Sequence, residues 1–215
     1  MSVYEQVSPG NFSVIVLDFE TTGLSPEYGD RAIEIGAVLI ENNRVTDRFQ
    51  SLMNPGFRIN SFIESYTGIS NKMVKDAPPC GEVMEQFAKF IGDHPLVAHN
   101  ASFDRKFLDS EFSVIGKSRN SNMACSMLVA RRLYPDAPNH KLGTLVRYCN
   151  IPTDGTFHRA LADAEMTGHL WLSMINKIRK VFAVNQVSFD LMQRLSKITK
   201  AKAPEYLEKL AGKNC

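Results

Sequence analysis

One stretch constrains this chain more than any other: Val14-Ile15-Val16-Leu17-Asp18-Phe19-Glu20-Thr21-Thr22-Gly23-Leu24. Its apolar run has the length of a strand, yet it carries two carboxylates. Side chains alternate between the faces of a strand, so Val14, Val16, Asp18 and Glu20 emerge together. Adjacent acids on one face of an interior strand repel, and burying either without a partner costs several kcal/mol. A divalent cation held between them removes both objections. A strand end whose acids are solvated, or paired with Arg or Lys, also satisfies the residues. Thr21-Thr22-Gly23 then closes the strand in a turn that a ligand's backbone can approach closely.

The 215 residues suit one domain with an extension, long enough to bury a sizeable core. The net charge of +2 is too small to argue for a polyanionic partner, but its distribution is uneven. From Lys177 onward there are nine basic and three acidic residues, against 16 basic and 20 acidic before it. An acidic body with a basic tail needs cations or basic loops to handle nucleic acid. Cys80, Cys125, Cys149 and Cys215 are far apart and form no CxxC pair. Reduced thiols in a cytoplasmic protein are therefore expected. No apolar segment precedes residue 13, so no signal peptide is expected, and no run reaches the length of a membrane span.

Residues 32–40 and 44–53, rich in Ile, Val and Leu and split by Glu41-Asn42-Asn43, predict two strands in an antiparallel meander with the first. Residues 57–79 read as irregular, with a short helix at 61–66. Helical spacing of Val83, Phe87, Phe90 and Ile91 predicts a helix over 81–92, and 96–98 a short strand. Asn100 is placed to cap the next helix. A strand-like piece at 123–125, a helix through Leu133, a short helix at 143–149 and a loop over 151–157 follow. The longest helix is expected over 160–178, and beyond it an amphipathic helix capped by Ser188 and broken by Pro204. Three strands followed by alternating helices and short strands predict a mixed α/β sheet with helices packed on it.

Two further stretches carry chemistry. In His99-Asn100-Ala101-Ser102-Phe103-Asp104, Asp104 lies one turn into a helix, where the positive helix end favours a carboxylate. In His158-Arg159-Ala160-Leu161-Ala162-Asp163, His158 is expected on the loop before the long helix and Asp163 in its early turns. Taken singly, Asp104 reads as a complement to the helix dipole and His158 as a surface histidine. Together the three stretches bring four acids and one histidine to strand ends and first helical turns. Oxygen ligands suit Mg²⁺ or Mn²⁺ rather than zinc, and a histidine titrating near neutrality suits a general base.

Asp18-x-Glu20, His99-Asn100-x-x-Phe103-Asp104 and His158-x-Ala160-x-x-Asp163 resemble the three motifs of the DEDDh 3′→5′ exonucleases, within the ribonuclease H-like superfamily. Among these it resembles the epsilon-subunit exonuclease domain of DNA polymerase III. The resemblance covers residues 11–178. It implies a ribonuclease H-like fold, with three antiparallel strands first and parallel strands after, in a five-stranded sheet flanked by helices. Residues 1–180 would form the exonuclease domain and 181–215 a basic, helical extension. The implied activity releases nucleoside 5′-monophosphates from single-stranded or frayed DNA 3′ ends, in proofreading or repair, with two divalent cations, Mg²⁺ or Mn²⁺.

In that resemblance Asp18 bridges two ions about 3.5–4 Å apart. Glu20 and Asp163 complete the set around the first, Asp104 serves the second, and His158 takes the proton from the attacking water. Thr21, Thr22, Gly23 and Leu24 hold the terminal nucleotide, with Leu24 as a wedge between bases. Ile69 touches a base, and His99, Asn100 and Phe103 line the same pocket. Thr67 stands where many relatives carry a histidine before the glycine, which puts that pocket wall in question. Glu34 reads as structural; Arg105, Lys106, Lys141 and Arg159 are either phosphate contacts or solvated charges.

The implied partner is nucleic acid with a free 3′ end, possible association with a DNA polymerase subunit included, and no membrane. An exoribonuclease resembling ribonuclease T or oligoribonuclease is the alternative enzyme. A non-catalytic end-binding or polymerase-binding module is the alternative outside enzymes. The tail beyond residue 180 either docks a partner or nucleic acid, or packs back on the domain.

Overall fold

The structure, a computed structural model, describes residues 13–153 and 158–212. Strands β1 (Ser13–Thr21), β2 (Ala32–Glu41) and β3 (Arg44–Leu52) form an antiparallel meander. Its second connection is tight because Asn42 and Asn43 both take positive φ, 51° and 63°, the backbone that matches a two-residue hairpin to strand twist. Helices α1 (Ser61–Thr67), α2 (Asn71–Lys75) and α3 (Cys80–Ile91) follow. Then come β4 (Leu96–Ala98), α4 (Ser102–Val114), β5 (Met123–Cys125), α5 (Ser126–Leu133) and α6 (Leu142–Tyr148). Helices α7 (Ala160–Phe182), α8 (Phe189–Lys197) and α9 (Ala203–Ala211) complete the described chain. The sheet runs β3-β2-β1-β4-β5, with β4 parallel to both β1 and β5.

The alternation in β1 divides the core. Val14 and Val16 pack with Val38 and Ile40 under α7, beside Trp171 and Ile175. Ile15, Leu17 and Phe19 face the other way, against Phe87 of α3 and Phe107 and Phe112 of α4. Asp18 and Glu20 therefore continue the α7 face of the central strand, at the end where its apolar partners run out.

Most expected elements stand within a residue or two of their predicted bounds, and α7 runs four residues beyond residue 178. The region 57–79 holds more structure than its sequence predicts. Asn60 and Ser70 each accept a backbone N–H through their side chains and start the short helices α1 and α2. Asn100 does not cap α4 with its side chain: it sits at φ 67° and its carbonyl accepts from Phe103 N at 2.9 Å. Ser188 does cap α8, accepting from Leu191 N. Pro204 opens α9 rather than merely ending the helix before it, since its missing N–H costs nothing in a first turn. Residues 1–12, most of the expected loop at 151–157, and Cys215 lie outside the described residues.

The tail packs back. Val184, Val187, Leu191, Met192, Leu195, Ala203 and Leu207 join the same apolar core as α7, and Arg132 Nε donates to the Ile198 carbonyl at 2.8 Å. Cys80, Cys125 and Cys149 carry free thiols. Among the described residues no helix is long and apolar enough to cross a membrane.

Candidate active site

Three elements converge at the C-terminal end of β1. Asp18 and Glu20 come from that strand, Asp104 from the first turn of α4, and Asp163 from the first turn of α7. Asp104 is 2% exposed, and its Oδ1 accepts the backbone N–H of Phe19, the residue between the two strand acids, at 3.3 Å. His158 precedes α7 with φ 61°, and its backbone N–H donates to Asp163 Oδ2 at 3.0 Å. Ligand atoms of Glu20, His158 and Asp163 lie within 4.8 Å of one another. His158 is exposed, whereas Glu20 and Asp163 are buried.

What seats α7 here is a glycine. Gly36 faces Asp18 across the β1–β2 ladder. A Cβ at Gly36 would fall on the backbone of Ala160 and Leu161, so only glycine lets the first turn of α7 lie on the sheet. Glu34 fixes the same turn. It is fully buried, accepts from Arg159 Nη2 at 2.7 Å and Ala160 N at 3.1 Å, and receives Gln50 Nε2 at 2.9 Å. Arg159 is thus an ion-pair partner spent on the scaffold, and Glu34 is structural, as its strand position predicts.

The electrostatics point to a missing positive charge. Burial, followed by repulsion from Asp104, Asp163 and Glu20, pushes the Asp18 carboxyl well above the ordinary carboxylate range. Burial and then Asp163 and Glu34 push Glu20 up to about 8, against the pull of Arg159. Burial pushes Asp104 up to about 7 even though two backbone N–H groups favour its charged form. Asp163 is raised by burial too. Four acids that resist ionising beside one another, with Arg159 committed to Glu34, form an oxygen-donor set that divalent cations fit.

That arrangement has a measurable consequence without metal. Raised carboxyl groups make the folded state hold protons that the unfolded chain releases near pH 4, so stability falls as pH climbs from about 4 to about 8. Each extra proton held costs about 1.4 kcal/mol per pH unit, or roughly 3–6 °C in Tm for a domain of this size. In chelator the protein should melt lower at pH 8 than at pH 6. The slope should shrink in Glu20→Gln and on adding Mg²⁺. A Tm that rises over that interval in chelator contradicts the buried acid cluster.

The expected nucleotide pocket is only partly assembled as its motifs imply. Leu24 is 72% exposed. Thr21 and Thr22 are buried, and their hydroxyls are used internally: Thr21 Oγ1 donates to the Gly23 carbonyl at 2.6 Å, and Thr22 Oγ1 to Asp30 Oδ1 at 3.2 Å. A Cβ at Gly23 would displace the Asp30 carboxylate, which also accepts from Ser25 N. The absent side chain serves this turn before it serves any ligand. Ile69 has no exposed surface and packs with Ile33, Ile59 and Val74, so it is a core residue and not a base contact. Phe103 is half-buried against Phe107 at 5.0 Å between centroids, a supporting position.

His99 lines the cleft with Asp18 and His158, as expected, and carries a structural role as well. Its Nε2 lies 2.9 Å from the His140 carbonyl, which only accepts, so that nitrogen bears the proton and Nδ1 faces Ser126 Oγ at 2.9 Å. Burial lowers its pKa to about 4. His99 therefore ties the loop before α6 to the end of β4 as a neutral clamp, its polar atoms already committed. Asn100 is exposed at the cleft.

Sequence reasoning missed Tyr66. Its ring lies 4.4 Å from the His158 ring and 5.9 Å, stacked, from Phe62. Burial, then Glu20, Asp163 and Asp18, raise its pKa, so its phenol faces the carboxylates. The i, i+4 aromatic pair on a short polar helix was the available signal. An open cleft of about 1020 Å³ joins Asp18, His158, Asp163 and Tyr66 to Asn100 and α6.

Residues 15–170 match the RNase T exonuclease family. The chain is 38% identical over 194 residues to a PolC-type DNA polymerase III of Caldanaerobacter subterraneus, covering 89% of this chain and 14% of that protein. It is 37% identical over 168 residues to the 3′-5′ exonuclease DinG of Bacillus subtilis, covering 78% of this chain and 18% of that protein. Among solved structures, exonuclease X in complex with 5′ overhanging duplex DNA superposes with a TM-score of 0.67 at 24% identity, over 85% of this chain and 99% of that one. The family match runs from the acid-bearing strand into the helix that carries Asp163, and on that match the chain belongs to the DEDDh 3′-5′ exonuclease family.

Proposed function

We propose that this domain removes nucleoside 5′-monophosphates one at a time from single-stranded or frayed DNA 3′ ends, using two divalent cations, Mg²⁺ or Mn²⁺. The observation that carries the reading is the cluster of Asp18, Glu20, Asp104 and Asp163, raised in pKa by burial and mutual repulsion, beside an exposed histidine. Those four side chains would hold the cations, with Asp18 central because it feels all three others. Bound there, divalent ions supply positive charge to the attacking and leaving oxygens of the phosphodiester.

The chain supplies the rest. His158 accepts the proton of the attacking water on its imidazole. The hydrogen bond from its backbone N–H to Asp163 ties its loop to the acid cluster, and Tyr66 limits where its ring can swing. Phe19 N–H holds Asp104 at its post. Leu24, largely exposed a few residues beyond Glu20, would part the terminal base from the next. DNA is the better substrate than RNA because the similar PolC-type protein is a DNA polymerase; that likeness also supports proofreading or repair in the cytoplasm as the setting, alongside a polymerase. The exonuclease unit, expected as residues 1–180, is best ended after α7 at Phe182, with the residues beyond it as an extension whose side chains from Val184 to Leu207 share the core with α7.

The test is degradation of end-labelled DNA and RNA, single- and double-stranded, with Mg²⁺, Mn²⁺ or EDTA. Nucleoside 5′-monophosphates should appear from DNA 3′ ends only with metal; preferential loss of RNA would reassign the substrate. His158→Ala should slow release by roughly 10²–10⁴, with metal affinity by calorimetry close to native. A near-native rate would remove His158 from the role of base.

A further inference from the structure

The catalytic cleft has two unlike walls. On the side of β2 and β3, α1 is anchored by Ile63 against Ile33 and Leu52 and turns Phe62 and Tyr66 outward, 71% and 53% exposed. With His158 they make a row of three rings leading away from the acids. On the side of β4 and β5, the cleft is lined by Arg131 of α5 and by Lys141 and Arg147 at the two ends of α6. None of these three has an ion-pair partner among the described residues, whereas Arg31, Arg48, Arg119 and Arg159 are all paired. The basic wall is held in place: His99 grips the His140 carbonyl, His140 Nε2 binds the Tyr134 carbonyl at 3.0 Å, and Asn139 Oδ1 accepts from Lys141 N.

We propose that these walls bind the nucleotides upstream of the scissile phosphate, with bases stacked along Tyr66 and Phe62 and phosphates running past Arg131, Lys141 and Arg147. The inference rests on the exonuclease reading. Rings on one side and cations on the other suit a single strand, since a duplex hides its base faces, and they read no sequence. They also answer the charge problem posed by the acidic body: the cleft that holds the acids is lined by three cations with no ion-pair partner among the described residues.

Anisotropy of a short 5′-labelled oligothymidylate with hydrolysis-resistant phosphorothioate linkages tests this. Tyr66→Ala should weaken binding about 10-fold. An abasic residue at the penultimate position should weaken native binding to a similar degree and add little to Tyr66→Ala. Arg131→Ala, Lys141→Ala and Arg147→Ala combined should make the log–log salt dependence shallower by about 2. Exchanging the same residues as Arg131→Lys, Lys141→Arg and Arg147→Lys should preserve the slope, which separates lost charge from lost fold. An unchanged salt slope in the neutralised variant, or a full abasic penalty in Tyr66→Ala, overturns the proposal. Nucleotide release measured in parallel tells the two readings apart. Release without any change in variant binding defeats only the walls, and no release from native enzyme with either metal defeats the activity.

Discussion

Asp18→Asn is expected to lower Mg²⁺-dependent nucleotide release on the order of 10³-fold or more, and at the same time to raise the melting temperature in chelator at pH 8. The two effects share one cause. Asp18 is opposed by burial first and then by repulsion from Asp104, Asp163 and Glu20, all disfavouring its charge. Cations reward that arrangement; without them it is a liability. Losing several kcal/mol of charge stabilisation in the transition state corresponds to at least three powers of ten in rate. An amide keeps the shape of the carboxylate and removes the repulsion. Gel-based release assays and a thermal melt on the same preparation check both halves. Near-native release from the variant sinks the metal assignment, and a lower melting temperature sinks the electrostatic account of the cluster.

Gly36→Ala should cost about 1–3 kcal/mol of stability, the usual toll of overpacking, and most of the activity with it. The added methyl would meet backbone atoms of Ala160 and Leu161, which no rotamer change can move aside. Relief requires the start of α7 to lift from the sheet. Asp163 and the His158 hydrogen bond ride on that turn, and a 1 Å misplacement of catalytic groups can cost about 10²-fold. Chemical denaturation gives the stability term and the release assay the rate. A variant with native kcat and only reduced stability would show that the position of α7 is not what limits catalysis.

Much of the site was legible in the residues because the relevant spacings are local. Asp18 and Glu20 share a strand face by parity alone, and β1 places Val14 and Val16 on the α7 face as that parity requires. Asp104 and Asp163 lie in first helical turns, which flanking residues announce. His158 falls before its helix because five residues of helix would have turned it away from Asp163. The same local logic found the α8 cap at Ser188.

It failed where a side chain's role depends on what folds over it. Ile69 sits in a string that matches a nucleotide-pocket motif, yet it is sealed under α1 and α2; His99 does line the cleft, but its ring nitrogens also hold the loop before α6. Arg159 looked available for phosphate until the register brought Glu34 to it across 125 residues. Tyr66 offered only an aromatic pairing with Phe62 along the expected short helix, and its place beside His158 arises from contacts distant in sequence.

By itself the sequence determined the family, the four acids and the histidine, and the strand-first mixed sheet, because alternation, helical period and motif spacing are properties of neighbours along the chain. Only the tertiary structure decided which acids share an unfavourable charge, which arginines are already paired and which residues line the cleft. Those depend on Gly36 letting α7 settle across β1 and β2, and close approach of two backbones distant in sequence leaves no mark on either one alone.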